Sequence, residues 1–521
     1  MKYKERPKGE GKKKRKERKR KEKGKKKGLM NANANKNKNK RRKIKGNGTF
    51  GCVFLRSYAC KKNFLFGKNK RYYENKISKL VSKNDNRIQN EIQICNTVQS
   101  KIPHFEKFYA PILESCPVSL FDLNIDPTDF SKCHLFSQQQ QQQQKPFSKQ
   151  FYKKNYISLT MTNVGKKNFS DKMNYYLRRE RTNTFQFILD SHLHLLEAIT
   201  LLLFANSFSS STTTTTLSPT SPSSAFSFFA FGNNNNNDAT ATTATANADV
   251  SAAATKEFRL QDLQAGNFAT ITHLDLTPQN ILIEKSTNLP IIIDFGLAFS
   301  YQIGQEFDLH KMKEMFYVYY TKHAPWPFEV VIINYILHIM LAKKGKLHES
   351  NTNIHLFLKN SVINQHDIQR LRTLIAHFIE NNTLFQYSSN VYKIDTSEEQ
   401  FKAFISKFKT QWLAFFTGFM DKSLSWIDLI NHLMLESWSW DNYGLASLFI
   451  QASGTGNLTN NRKIKKYRKI LIDILFYAPS PPTTSSSSGG GEQQQQQQQQ
   501  EEKKRSRSFE TMKEIQELMA A

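Results

Sequence analysis

The sequence predicts an α+β fold in which a small β-rich lobe precedes a larger helical lobe. Short β-prone segments, with one helical pattern among them, lie between residues 44 and 162. Helical patterns dominate after residue 180. Once low-complexity segments are set aside, the 521-residue chain is long enough for one large domain with insertions or for two lobes.

A basic tail opens the chain. Residues 1–45 contain 24 Lys and Arg and 4 Glu, which gives this stretch +20 of the total net charge of +31. Such a composition cannot bury enough apolar surface to fold, so residues 1–43 are predicted to be a disordered tail. The tail is either a solvated segment or a patch that contacts a polyanion or the nuclear-import machinery. The charge pattern leaves both interpretations open.

Repetitive segments interrupt the rest of the chain. Disordered insertions are predicted near residues 137–147, 205–257 and 478–504, which contain runs of Gln, of Ser and Thr, of Asn and of Gly. The five cysteines form no C-x-x-C pair, which predicts a reducing compartment and no structural metal. The run "HLLEAITLLLFA" is too short to span a bilayer, and the basic start is not followed by an apolar signal region. The expectation is a soluble intracellular protein of the cytoplasm or nucleus, without a membrane partner.

The β-rich part begins with "KIKGNGTFGCVFLRSYAC", which is typical of a hairpin with a flexible turn. "NKISKLVS" predicts a short strand. "NRIQNEIQICNTVQSKI" has Ile88, Ile92 and Cys95 at helical spacing, and "KFYAPILES" and "NYISLTMTNVG" predict further strands.

The helical part begins with "TFQFILDSHLHLLEAITLLLF", the longest amphipathic pattern in the chain. Its apolar residues on or near one face are Phe185, Ile188, Leu193, Leu196 and Ile199. The pattern predicts a helix with this face toward the core.

The glycine-rich stretch suggests a phosphate-binding turn. It contains Gly46, Asn47, Gly48, Gly51 and Val53. Glycines let the backbone approach phosphates and direct N–H groups at them. Because the chain continues as a strand after the last glycine, the pattern favours a hairpin over a strand-to-helix dinucleotide turn. An ordinary glycine-rich turn is the alternative.

A second polar pattern lies in "THLDLTPQNILIEKSTNLPIIIDFG", from Thr272 to Gly296. Asp275 and Asn280 lie five residues apart before an apolar strand, and Asp294 follows another. A carboxylate can orient a hydroxyl nucleophile or accept its proton. Amide and carboxylate oxygens are ligands that Mg²⁺ accepts. The alternative is a hairpin with polar turn residues.

Taken together, "HLDLTPQN…IIDFGLA" and "GNGTFGCVF" resemble the eukaryotic-type protein kinase superfamily. Further stretches, among them "WPFEV" and "WDNYGLASLFI", look like the divergent kinases of large DNA viruses. The resemblance implies a two-lobe kinase fold with an N-lobe at about 44–162 and a C-lobe at about 163–521. It also implies ATP and Mg²⁺ as cofactors and an unidentified protein as substrate, with serine/threonine specificity expected.

The resemblance assigns nucleotide-binding roles to particular residues. The lysine that grips the phosphates is expected to be Lys79, with Lys76 and Lys83 as rivals, and its carboxylate partner is expected to be Glu91. The backbone around Met161 and Asn163 would bind adenine.

In the second half of the chain the resemblance assigns chemical roles. Asp275 would be the catalytic base, and Asn280 and Asp294 would be the Mg²⁺ ligands. Glu329 would end the activation segment and pair with an arginine near the C-terminus, expected to be Arg507. Asp441 would brace the catalytic loop.

Two residues depart from the family pattern. Leu274 replaces the Arg of H-R-D, and Thr277 replaces the Lys that serine/threonine kinases place two residues after the base. Two other functions therefore stay open. One is a small-molecule phosphotransferase of the aminoglycoside or choline kinase type, and the other is a pseudokinase scaffold that binds partners without catalysis.

Overall fold

A computed structural model describes residues 44–48, 51–55, 75–83, 85–118, 133, 156–206, 269–302, 308–395, 397–454, 458, 462–479 and 505–521. The fold is mixed α+β, as predicted. The predicted tail, the 137–147 insertion and most of the other two insertions lie outside the described residues. Ala205 and Asn206, placed by prediction in the second insertion, instead end a folded segment, and Ala205 is fully buried.

The chain divides into two compact units. One comprises Met1–Asp85 and Ile112–Asn163, and the other comprises Asn86–Pro111 and Val164–Ala521. The helix that the sequence placed among the N-terminal strands therefore groups with the second unit.

The first unit contains an antiparallel five-stranded sheet of order β1-β2-β3-β5-β4. Its strands are β1 (Ile44–Gly48), β2 (Gly51–Leu55), β3 (Lys76–Ser82), β4 (Ile112–Val118) and β5 (Tyr156–Thr162). β1 and β2 form the predicted hairpin, with Gly48 paired to Gly51. β3 lies in the middle of the sheet between β2 and β5, and its five central residues are buried.

Gly51 is required by the packing of the hairpin on the central strand. A Cβ at this position would lie 2.5 Å from the carbonyl oxygen of Leu80, which is closer than any side-chain carbon can approach. The third glycine of the glycine-rich stretch therefore has a structural reason besides any role with phosphates.

Cysteine pairing differs from the sequence prediction. Cys52, next to Gly51, forms a disulfide with Cys133, and Cys116 is also disulfide-bonded. Cys95 is buried and lies outside any disulfide. Because the partners of the first bridge lie 81 residues apart, local spacing could not reveal it. The prediction of a reducing compartment did not lead us to expect this bridge, and the compartment itself stays a prediction.

The second unit is largely helical. It contains α1 (Asn86–Lys101), α2 (Phe169–Arg179), α3 (Thr184–Leu203), α4 (Leu309–Met315), α5 (Phe328–Asn334), α6 (Asn351–Asn360), α7 (Gln365–Asn381), α8 (Thr383–Asp395), α9 (Glu398–Asp421), α10 (Trp426–Met434), α11 (Trp440–Gly454), α12 (Arg462–Leu475) and α13 (Ser508–Ala520). α5 continues through a π-helical turn, Tyr335–Met340, into Leu341–Lys343. Short 3₁₀ turns lie at Phe105–Lys107, Arg181–Asn183 and Ser437–Ser439.

α3 is the central helix of this unit and packs against α2, α11, α13 and two short strands. It is buried around most of its circumference rather than along one face, and Phe185 of the predicted apolar face is only half-buried. It spans 20 residues, within one residue of the predicted pattern, and by length and composition it could cross a membrane. However, 72% of its apolar window is buried within the protein, which is typical of a core helix.

The stretch between residues 330 and 435, whose role the sequence did not predict, forms helices around an aromatic cluster. Phe328 at the start of α5 packs edge-on against Trp412 of α9, with ring centroids 4.9 Å apart. Phe378 of α7 lies 4.8 Å from the same phenylalanine ring. These aromatic contacts hold α5 in place. The segment directly before α5, residues 321–327, contacts the loop after β6.

Two short strand pairs position the polar residues of this unit. β6 (Ala269–Thr272) pairs with β9 (Phe299–Gln302), and β7 (Ile281–Ile283) pairs with β8 (Pro290–Ile292). The loop from β6 to β7 carries the first polar group, and the turn from β8 to β9 carries the second. The hairpin register places the start of β7 beside the end of β8.

Candidate active site

The loop after β6 has a strained backbone. Leu274 adopts a left-handed conformation with φ 62°, although it is buried and carries a side chain. Asp294 has the same φ of 62° after β8. Such conformations are uncommon for residues other than Gly and persist where surrounding structure holds them. Leu274 directly precedes Asp275, and Asp294 is itself a residue to which the sequence assigns chemistry.

Asp441, in the first turn of α11, anchors this loop as the sequence predicts. Its carboxylate accepts the backbone N–H of His273 at 2.7 Å and that of Leu274 at 2.9 Å. Burial raises the pKa of Asp441, while His273 and the two backbone hydrogen bonds oppose that rise. The loop is thus fixed by a buried carboxylate that satisfies two consecutive amides.

His273 links the two polar groups. Its Nδ1 lies 3.3 Å from the backbone nitrogen of Asp275, and its Nε2 lies 3.2 Å from the carbonyl oxygen of Ile293. Both contacts are satisfied when Nδ1 accepts and Nε2 donates. The ring also packs edge-on against Phe295, with centroids 5.0 Å apart. His273 therefore has a structural role in joining the loop to the Asp294 turn.

Asp275 is held by Asn280 from within its own loop. The Nδ2 atom of Asn280 donates to the Asp275 carboxylate at 2.7 Å and to its carbonyl oxygen at 3.0 Å. Both side chains are partly buried. The Asp275 carboxylate is thus oriented and still accessible, with 23% of the side chain exposed. A carboxylate in this setting can accept the proton of a hydroxyl group.

Asn280 and Asp294 are brought together by the β7–β8 hairpin. The N–H of Ile293, the residue before Asp294, donates to the carbonyl oxygen of Asn280 at 2.9 Å. The Asp294 carboxylate accepts a hydrogen bond from the N–H of Gly296 at 3.3 Å, a contact within its own loop. Because Nδ2 of Asn280 is engaged with Asp275, the amide oxygen is the atom left to face a cation.

The donor chemistry of this pair fits Mg²⁺. One amide oxygen and one carboxylate are hard ligands, and Mg²⁺ is commonly bound by one or two protein groups with phosphates and waters completing its shell. In the described part of the chain no group of three or more His, Cys, Asp or Glu side chains could hold a metal by itself. A cation at Asn280 and Asp294 would accordingly depend on phosphate oxygens of a nucleotide.

Two residues near Asp275 were missed by sequence reasoning. Nε2 of His323 lies 3.1 Å from Oδ1 of Asp275. The indole nitrogen of Trp326 donates to the carbonyl oxygen of Leu274 at 3.1 Å. Both belong to the segment before α5, about fifty residues further along the chain. The only signal in the sequence was their place in "KHAPWPFEV", which by itself predicts no contact with the loop.

Glu329 of α5 forms a fully buried ion pair, but with a different arginine from the one predicted. Nη2 of Arg505 lies 2.8 Å from its carboxylate, and both side chains are at most 1% exposed. Arg507 instead lies over the rings of Trp438 and Phe509 at the start of α13. The prediction of Arg507 was wrong because two arginines two residues apart cannot be distinguished without the backbone path.

In the first unit, the three lysines considered for phosphate binding differ in burial. Lys79, opposite Val53 in β2 and Leu159 in β5, is only 5% exposed. Lys76 is half-buried and donates to Thr162, and Lys83 is exposed. Buried lysines are rare and concentrate at functional sites, so burial favours Lys79 over its rivals.

The backbone around the end of β5 is partly engaged in the sheet. Met161 pairs with Ile77 and Ile112 and is buried. The N–H of Asn163 donates to the carbonyl oxygen of Asn75 at 3.0 Å, so this donor already has a partner within the sheet. The glycine-rich residues Gly46 and Asn47 lie in β1.

Glu91 lies in α1 and is 4% exposed, which is unusual for a glutamate. The preceding Asn90 donates to the carbonyl oxygen of Ala298 at 2.7 Å. This contact ties α1 to the segment that follows Asp294, within the second unit.

No protein-family model matches the chain, and no curated protein is similar to it in sequence.

Proposed function

We propose that the protein is an ATP-dependent protein kinase of the serine/threonine class, which transfers the γ-phosphoryl group of Mg-ATP to a protein hydroxyl. The observation that carries the proposal is the arrangement of Asp275, Asn280 and Asp294. The side-chain amide of Asn280 orients the Asp275 carboxylate. The second carboxylate, that of Asp294, directly follows Ile293, whose backbone N–H donates to the carbonyl oxygen of Asn280. These three groups match the base and the metal ligands of the kinase motifs.

In this mechanism Asp275 orients the acceptor hydroxyl and takes its proton as the oxygen attacks. Asn280 and Asp294 would hold Mg²⁺, and the bound ion would neutralise charge on the phosphates. Asp441 and His273 keep the loop in its strained conformation, so that Asp275 does not have to be repositioned during the reaction. Two-lobe kinase architecture is part of the proposal.

The direct test is ATP turnover by the full chain on a panel of protein substrates. Asp275→Asn should lower kcat by about 10²–10⁴-fold, because a general base contributes rate enhancement in that range. Nucleotide affinity should be nearly unchanged, because Asp275 acts on the hydroxyl and not on ATP. Asp294→Ala should weaken Mg²⁺-dependent nucleotide binding as well. Equal activity of either variant and the wild type would contradict the assigned roles.

Two lysines in the same strand provide a matched comparison. Lys79→Met should lower activity far more than Lys76→Met, because Lys79 is the buried candidate and Lys76 bonds Thr162 near the end of the sheet. The reverse order would show that the phosphate-binding lysine has been misassigned.

The same assay separates the other two functions. A parallel panel of amino alcohols and aminoglycosides tests for a small-molecule phosphotransferase, and transfer to these acceptors alone would replace the protein-kinase proposal. Nucleotide binding without transfer to any acceptor would favour a pseudokinase scaffold.

A further inference from the structure

His323 has an unusual position for a residue outside the loop it contacts. Its Nε2 atom lies 3.1 Å from Oδ1 of Asp275, and each side chain is 23% exposed. The nitrogen atom itself is shielded from solvent and has no aligned hydrogen bond to a described residue. Oδ1 of Asp275 is thus within hydrogen-bond distance of this nitrogen.

The imidazole is fixed by the same loop that it contacts. The backbone N–H of Trp326 donates to the carbonyl oxygen of His323 at 3.1 Å, which closes a turn. The two rings of this turn pack edge-on with centroids 4.9 Å apart. The Trp326 indole then donates to Leu274, the residue before Asp275. The turn therefore holds His323 at a defined position relative to the carboxylate.

The two oxygens of Asp275 face different donors. Asn280 donates to Oδ2 at 2.7 Å, and His323 lies beside Oδ1. Between Asp275 and Asn280 the loop contains Leu276-Thr277-Pro278-Gln279, which offers no cationic or imidazole group. The 321–327 segment brings an imidazole to within 3.1 Å of the second oxygen.

We propose that His323 is a positioning residue for Asp275: its Nε2–H holds Oδ1 so that the remaining lone pairs of the carboxylate face the acceptor hydroxyl. The inference rests on the proposed function. In this structure the N–H does not point along the line to the oxygen, and such contacts commonly align only when substrate is bound. Tightening of this contact would couple the 321–327 segment to the base.

Two amide variants separate a role of Nε2 from a role of ring packing. The amide nitrogen of glutamine can take the place of Nε2, whereas that of asparagine reaches only the place of Nδ1. His323→Gln should keep kcat within about threefold of the wild type, and His323→Asn should lower it about tenfold or more. KM for ATP should be unchanged in both. Equal losses in the two variants, or full kcat in His323→Asn, would overturn the proposal.

A second measurement does not depend on activity. In protein labelled with ¹⁵N-histidine, the Nε2 signal of His323, assigned from the His323→Gln spectrum, should shift in Asp275→Asn and stay in place in Asp428→Asn, a change remote in sequence and located in α10. An unmoved signal in Asp275→Asn would refute the contact. A wild type that transfers no phosphate while the signal shifts would refute the proposed function and reduce the contact to a structural one.

Discussion

The five-stranded sheet and the 273–294 segment hold their polar residues in different ways. In the sheet, Lys79 is fixed by backbone pairing with β2 and β5, and its position follows from the strand pattern around it. In the 273–294 segment, the backbone is strained and is held by side chains from distant parts of the chain. Asp441 and Trp326 reach it from 167 and 52 residues away.

This difference predicts how each region responds to substitution. A ladder of backbone hydrogen bonds survives most side-chain changes, whereas a loop held by individual buried groups loses its geometry when one group is changed. The predictions below test this contrast, beginning with the largest expected effect.

Glu329→Gln should destabilise the second unit by about 4 kcal/mol, because the buried Arg505 charge is left without its counter-charge. The measurement is urea unfolding followed by tryptophan fluorescence. Arg507→Met is the control, since Arg507 takes no part in the pair. A change below about 1 kcal/mol in Glu329→Gln, the range of exposed pairs, would show that the pair is energetically unimportant.

In the first unit, we expect the Cys52–Cys133 disulfide to be the largest single contribution to stability. Cys52→Ser combined with Cys133→Ser should lower stability by about 3 kcal/mol, because the bridge closes a loop of 81 residues in the unfolded chain. Cys95→Ser, which changes a cysteine outside the disulfide, is the control. Unfolding of the double variant at the wild-type midpoint under non-reducing conditions would mean that the ladder alone is sufficient.

Local patterns predicted the strands of the first unit and two of the helices. The hairpin, β3, β5, α1 and α3 were predicted because their periodicity and glycines are encoded within a few residues. The predicted contact of Asp441 with the loop came from the motif resemblance and not from local pattern. The disulfide, Arg505, His323 and Trp326 could not be predicted, because each depends on which distant residues the folded backbone brings together.

Asp441→Asn should destabilise the loop by about 2–3 kcal/mol. The amide has one acceptor oxygen where the carboxylate offers two, so its NH₂ group would face a buried N–H of His273 or Leu274. Hydrogen exchange at those two amides should quicken, and transfer activity should fall with it. Asp421→Asn at the exposed end of α9 is the control. Unchanged exchange at both amides would show that the loop holds itself.

The buried histidines of α3 predict a pH dependence in the second unit. Burial lowers the pKa of His192 to about 3 and that of His194 to about 4. Because the unfolded chain takes up protons near pH 6.5 and the folded chain does not, stability should fall as the pH drops below about 6.5. At about pH 5 the loss is about 2 kcal/mol for each histidine.

The measurement compares urea midpoints near pH 7 and pH 5. His192→Asn removes one titrating group and should reduce the difference between the two by about 2 kcal/mol, whatever its effect at neutral pH. His104→Asn, at an exposed histidine, is the control. An undiminished difference in His192→Asn would place the acid sensitivity elsewhere.

The smallest expected effect concerns phosphorylation between Asp294 and Glu329. In kinases with H-R-D, the arginine before the base binds the activation-loop phosphate and orders the loop. Here that residue is Leu274, which is 3% exposed, and its carbonyl oxygen is engaged by Trp326. A phosphate on the segment between Asp294 and Glu329 therefore lacks this ordering contact. The loop that carries Asp275 is already held by buried groups. Activity should consequently not require phosphorylation of this segment.

Tyr320 and Thr321 are two hydroxyl residues between Asp294 and Glu329. Tyr320 is 50% exposed and Thr321 only 5%, so the tyrosine is the more accessible of the two. Tyr317 has the guanidinium of Arg87 4.8 Å from its ring centre, so a phosphate on this residue would have a cation nearby. The test treats purified protein with a broad phosphatase, verifies phosphate loss by mass spectrometry and measures the initial rate, with Tyr317→Phe in parallel. The rate should fall by less than about tenfold, or 1.4 kcal/mol in barrier. A larger fall that rephosphorylation restores would show that this segment depends on a covalently attached phosphate, as the sheet is expected to depend on its disulfide.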